Sequence, residues 1–293
     1  MVVVGVNTAI CLIAGGLACW KKLSVGSGIP HIKAYLNGIK IKGLLSLRTV
    51  AAKILGVVCS VLGGLPVGKE GPMIHSGAGM GSFCSQGVFN ALCNFKFKCF
   101  QQNRNDRAKR DFIAAGSAAG VSAAFGAPIA GVLFAIEEGA SFYDVPLIVN
   151  LLISSLTSFF VLNLIKSAVA GRFGELSNGG LMSFGTFKDA SYTFVDFGLF
   201  IVMGFAGGAL GALYNYINKQ ITIFRSKYVH TNARKLLEVA VAGATVTGVA
   251  FFAMLVYQGC SPIPSKLMGT KDIIQFYCPM GKMHEAGNIC ELM

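Results

Sequence analysis

The stretch GLPVGKEGP, residues 64–72, with Gly63 in front of it, decides how this chain is read. Counted from Gly63 it runs glycine, four residues, Gly68 and Lys69, which is most of a nucleotide-binding phosphate loop. That loop needs Ser or Thr directly after the lysine to ligate magnesium, and here the position holds Glu70. A carboxylate there would face a triphosphate and repel it. Pro72 follows, pre-set for the first turn of a helix, where its missing N–H costs nothing. The string therefore builds a glycine-flanked helix N-terminus, which attracts anions through backbone donors and dipole. A nucleotide hydrolase at 63–70 is the weaker, enzymatic alternative.

Outward from this turn the chain is apolar. It is 54% hydrophobic and 13% charged, against roughly 25% charged in soluble domains. Residues 2–20, 112–136, 145–165 and 197–217 carry no charge, 49–68 only Lys53, and 236–259 only Glu238. A bilayer span takes about 20 apolar residues, so these six stretches predict an integral membrane protein. The first is no secretory signal, because Lys21-Lys22 follow it rather than precede it. Residues 96–110 and 219–235 are densely basic, which places both in the cytosol by the positive-inside bias. Topology and anionic lipid account for the net charge of +12, and no nucleic-acid recognition motif accompanies it.

Thirteen acidic residues are few enough to place one by one. Most lie in polar connectors, and Asp196 and Glu238 sit near span ends. Glu70 and the pair Glu137-Glu138 abut apolar runs, and ionisable groups at membrane depth usually mark an ion or proton pathway. Glu137 reads as the end of a span at the interface. For Glu138 that reading and an intramembrane one stand level. Cys11, Cys19 and Cys59 fall in spans; Cys84, Cys93 and Cys99 lie on or near a cytosolic loop. Cys260, Cys278 and Cys290 lie in the tail on the opposite face, where any two could pair. No metal-ligand spacing and no nucleophile–base set is present in the sequence, so no metal, cofactor or catalytic residue is expected. His75, on the helix after the turn, reads as a satisfied packing residue. Among 37 glycines, Gly116/Gly120, Gly204/Gly208 and Gly207/Gly211 are spaced i, i+4, which predicts close helix packing.

A second turn of the same kind lies upstream, GSGIPHIKAYLNG at 26–38. Pro30 starts a short helix that Asn37-Gly38 ends. Ser27 offers a hydroxyl, and Gly28 and Ile29 offer backbone N–H groups at another positive helix end. Each turn alone reads as an ordinary cap. Two broken helices with glycine-rich N-termini in an apolar chain, one carrying Glu70, form an arrangement that transporters use to hold an anion at mid-membrane.

These residues resemble the CLC family of chloride channels and chloride/proton exchangers. GSGIP at 26–30 and GKEGP at 68–72 match its two anion-site signatures, and KRDFIAAGSAAGVSAAFGAPIAGVLFAIEEGASF at 109–142 is similar to the segment that follows them. YLNGIKI, VGKEGPMIHSG and AAFGAP resemble the branch found in lysosomal and late-endosomal membranes. The resemblance implies an all-α, multi-span fold with broken, re-entrant helices, corresponding to the first half and the opening of the second half of an inverted repeat. It divides the chain into 1–165, the first half with the anion-site helices; 166–192, a non-cytosolic connector; 193–259, the opening helices of the second repeat around a cytosolic basic loop at 219–235; and 260–293, a non-cytosolic cysteine-containing tail.

The resemblance also implies roles. Ser27, Gly28, Ile29, Lys69, Glu70 and Gly71 would form the chloride site, with Ser27 in place of proline favouring chloride over nitrate. Glu70 would be the gating glutamate, and Glu138 the inner proton-transfer residue expected of an exchanger. Chloride, protons and membrane lipid would be the partners, within a homodimer or a dimer with full-length subunits. The GxFxP signature of the family's second half is not found before Met293, so a partial chain is expected. A chloride channel and a non-transporting truncated subunit are the alternative functions.

Overall fold

A computed structural model of the chain describes residues 2–86, 105–140, 144–169 and 193–256, together with the short pieces 88–89, 95–96, 261–262 and 288–289 and residues 171 and 174. Apart from two antiparallel pairs of two-residue strands, 88–89 with 95–96 and 261–262 with 288–289, the described residues fold into helices. These are α1 (Val2–Trp20), α2 (Ile29–Leu36), α3 (Leu47–Leu62), α4 (Glu70–Gln86), α5 (Asp106–Phe125), α6 (Pro128–Phe134), α7 (Val145–Val169), α8 (Phe194–Tyr228) and α9 (Asn232–Val256). A single π-helical turn, Ala135–Gly139, continues α6. The fold is all-α, and α1, α7, α8 and α9 are long and apolar enough to cross a membrane.

The helix ends follow local chemistry. Ser46 caps α3 by accepting from the Thr49 amide at 3.3 Å, and Asn105 caps α5 by accepting from Ala108 at 2.6 Å. The charge-free run 112–136, expected as one apolar span, is broken. Gly126 takes a left-handed conformation at φ 67° to close α5, and Pro128 opens α6. The run 49–68 is likewise helical only to Leu62, where Gly63 and the positive-φ Gly64 turn the chain toward the GKEGP segment. In the other direction, the span expected at 197–217 grows into a 35-residue helix. At 1.5 Å per residue α8 is about 52 Å long, well beyond a hydrocarbon core of about 30 Å. The basic stretch 219–235 is thus helical up to Tyr228 and again from Asn232.

Close packing centres on α4, α5 and α7. Gly77 and Gly81 of α4 face Gly116 and Gly120 of α5 so tightly that a Cβ at Gly77 would collide with the Gly116 carbonyl oxygen, and one at Gly81 with that of Phe112. The expected role of Gly116/Gly120 is met in this contact. On the other side of α5, Ser154 and Ser158 of α7 donate to the Ala115 and Ala119 carbonyls at 3.1 and 3.0 Å, and Ser122 donates to Ser155 O at 2.8 Å. Around this triple layer Ile32, Leu36, Leu44, Ile113, Ala118 and Leu151 form the core. A second layer packs α1 against α3 and α9, with Gly15 of α1 receiving Leu236 and Val239.

Gly204/Gly208 and Gly207/Gly211 behave differently from the expectation. They meet nothing within 4 Å of a built Cβ, and every described side chain of α8 except half-buried Asp196 is exposed. Their spacing suits helix packing, but among the described residues no helix lies on them.

Candidate functional site

The two signature turns meet. Gly28, left-handed at φ 83°, is the N-cap of α2, and Glu70 is the first residue of α4. Helix geometry leaves the first-turn amides of both without acceptors inside their own helices. A Cβ on Gly71 would lie 2.5 Å from Ser27 Cβ and 2.9 Å from Ser27 Cα, so the glycine lets the start of α4 rest directly on the GSGIP turn. Ser27, Ile29, Glu70 and Gly71 line one cavity of about 660 Å³. Its remaining wall is mainly apolar, including Ala14, Ala52, Val57, Leu65 and Val67. Glu70 is half-buried, and its carboxylate folds back over Gly68, occupying space that any larger residue there would need.

Two predicted residues stand apart from this lining. Gly28 is buried and turned the other way, with Lys53 and His75 against it. Half-buried Lys69 precedes α4 and does not line the cavity. Glu138 lies in a different place, on the π-helical turn, where it accepts from Lys33 of α2 across 2.8 Å. Its side chain is 53% exposed and Lys33's is 51% exposed. Both border a cavity of only about 10 Å³, roughly the minimum for one water, with Ile29, Ser117 and Phe134. Ile29 lines both cavities, so α2 carries one end of its first turn against the Ser27–Glu70 space and Lys33, one turn on, against Glu138.

His75 is fully buried with both ring nitrogens engaged, as expected of a packing residue. In the sequence its partner Lys53 shows only as the one charge in the apolar run 49–68. Lys53 lines the larger cavity and is 1% exposed. A lysine in mid-span, in a chain otherwise sparing of charge, was the available signal.

Among the described residues no group of three or more metal-ligating side chains is present. Cys11, Cys19, Cys59 and Cys84 are free thiols, whereas Cys93, Cys99, Cys260, Cys278 and Cys290 lie outside the described residues.

The model of the voltage gated chloride channel family matches residues 10–281. The chain belongs to that family. Membership sets the nucleotide-hydrolase alternative aside. The mouse and human proteins named H(+)/Cl(-) exchange transporter 7 are each 42% identical to this chain over 279 residues, covering 94% of it and 34% of themselves. Chloride channel protein C of Dictyostelium discoideum is 33% identical, over 95% of this chain and 37% of its own length. The chain therefore spans about a third of the relatives it matches. Among solved structures, a eukaryotic CLC transporter superposes with a TM-score of 0.63 at 30% identity, covering 84% of this chain and 40% of the other. A slow cyanobacterial Cl-/H+ antiporter gives the same TM-score at 24% identity, over 84% and 52% of the two chains, and shares the fold. This voltage gated chloride channel family member is an all-α membrane protein with broken helices, as the sequence predicted.

Proposed function

We propose that the protein exchanges chloride for protons across an organellar membrane, with Glu70 as the gate and Glu138 as the inner proton relay. The observation that carries this reading is the shared cavity of Ser27 and Glu70, at the N-termini of α2 and α4. Ser27 offers a hydroxyl, the amides of Gly28, Ile29 and Gly71 lie at the two positive helix ends, and Lys69 adds charge beside the second. A carboxylate at Glu70 is an anion tethered at an anion site, so it competes with chloride for the same donors. Protonation removes its charge, releases the donors and lets chloride in. Each cycle of the gate then ties one proton to chloride moving the other way.

Glu138 supplies a second carboxylate on the far side of α2. The names of the exchange transporters 7 favour this reading over a channel or a non-transporting truncated subunit, and the wording of YLNGIKI, VGKEGPMIHSG and AAFGAP supports a lysosomal or late-endosomal membrane. The same reading takes residues 1–165 as the first half of the transmembrane repeat, 193–259 as the opening of the second, and 96–110 and 219–235 as cytosolic. It also takes a homodimer, or a dimer with full-length subunits, as the working assembly.

The test is flux in liposomes that contain the full-length protein. Glu70→Ala is expected to pass chloride without driving protons, and Glu138→Ala to stop proton movement while chloride still moves. Proton pumping by Glu70→Ala at the wild-type ratio would overturn the assignment.

A further inference from the structure

Glu138 is held in place by one contact. It stands on the π-helical turn Ala135–Gly139 with its side chain 53% exposed. Among the described residues its one hydrogen bond comes from Lys33, whose Nζ lies 2.8 Å from Oε2. A glutamate with water on one side has several rotamers open to it, so without that contact its carboxylate can turn away into solvent. Lys33, three residues beyond GSGIP, is itself well anchored. It lies in the last turn of α2, where the negative helix end favours an ammonium. Its carbonyl accepts from the backbone and side-chain amides of Asn37, at 3.1 and 2.9 Å. Its neighbours Ile32 and Leu36 seat α2 in the core, and a Cβ on Gly139 would lie 3.3 Å from Leu36 Cδ1, so the π-helical turn rests close on α2.

The pair borders the cavity of about 10 Å³, whose remaining wall is apolar apart from Ser117. Ser117 is 0% exposed, and its hydroxyl donates to the Ala114 carbonyl at 2.7 Å. With its hydrogen so used, what Ser117 offers the cavity is an acceptor. The two surroundings of Glu138 therefore suit its two protonation states. A carboxylate only accepts, and the Lys33 ammonium only donates; a neutral carboxyl carries an O–H, and Ser117 accepts.

We infer that Lys33 is the positioning residue of the proton relay, holding ionised Glu138 at the edge of this cavity until a proton arrives. Hydronium then gives its proton to Oε2, forming the O–H bond and leaving water. The ionic hydrogen bond to Lys33 is lost, and the ammonium keeps its three hydrogens and turns to solvent. The neutral carboxyl donates toward Ser117, directly or through one water. The inference rests on the reading of Glu138 as the inner relay and adds to it a residue that acts only through Glu138.

The experiment measures chloride and proton fluxes together in liposomes that contain the full-length protein. Lys33→Met is expected to lower the protons moved per chloride by about twofold to fivefold, the scale of an exposed ion pair. Lys33→Arg, which keeps a donor cation, returns the ratio to within about twofold of wild type, and Lys33→Glu, which sets two like charges together, lowers it further than Lys33→Met. With Glu138 already replaced by Ala, Lys33→Met changes nothing more. Should Lys33→Met fail to fold, Lys33→Gln takes its place. A pair that only steadies α2 would lower both fluxes together and leave their ratio alone. That result, or a ratio that rises in Lys33→Met, overturns the inference while the relay reading stands on Glu138→Ala. Protons moved by Glu138→Ala at the wild-type ratio would overturn both.

Discussion

At the level of single residues, the site depends on places where a side chain is missing. Gly71 lets α4 sit on Ser27, and a methyl group there meets Ser27 Cβ at 2.5 Å. Gly71→Ala is expected to cost about 1–3 kcal/mol, as overpacking does, and to abolish chloride binding measured by calorimetry. Gly68 is a different case. The atom in the way of its Cβ is the mobile end of the Glu70 side chain, so Gly68→Ala displaces the carboxylate without disturbing the helices. Thermal stability should change by less than about 1 kcal/mol, while the pH dependence of chloride binding flattens. Lys33 and Glu138 pair in the open, at 51% and 53% exposure, so Lys33→Met should shift stability by less than about 0.5 kcal/mol. The glycines and Glu70 were legible because turn chemistry is written locally, in GSGIP and GKEGP. Lys53 was not. Its partner His75 lies 22 positions on, and the two meet only once α3 and α4 have packed.

For helices, hydropathy and glycine chemistry give different information. The run 112–136 is uniformly apolar, so a hydropathy reading sees one span, yet Gly126 and Pro128 carry the break between α5 and α6. The i, i+4 glycines show the same limit. Gly116 and Gly120 meet α4, but Gly204/Gly208 carries an equal signal and meets no described residue. Spacing says that a face can receive a helix, not whether one is there. Gly116→Leu should therefore prevent α4 and α5 from closing, with a loss of about 3 kcal/mol or more, whereas Gly208→Leu in this chain should leave the unfolding midpoint unchanged. Lys40, in the connector after α2, and Asp106, the first residue of α5, pair across 2.5 Å on the surface. The lysine holds the Asp106 carboxyl below its ordinary value of 3.8, and the aspartate raises the Lys40 amine above 10.5. A lowered carboxyl stabilises the fold above its unfolded value, and that contribution is lost as pH falls through the folded one. The raised amine acts in mirror image, losing its contribution only in strong alkali. The difference in melting between wild type and Asp106→Asn should thus be constant near neutrality and close below pH 3.8.

Across the whole molecule, the fold brings Ser27 and Glu70 to one space from 43 residues apart in sequence (70 − 27). It places the Lys33–Glu138 pair at the other end of the short helix between them. What the protein does with that layout depends on one competition, between chloride and the Glu70 carboxylate for the donors at two helix ends. Calorimetric titration of the full-length protein with chloride across a range of pH tests this most directly. The account predicts that wild-type affinity rises as the medium is acidified, and that Glu70→Gln binds at the acid-limit affinity at every pH. Wild-type affinity that does not change with pH, or a Glu70→Gln variant that retains the wild-type dependence, would contradict it.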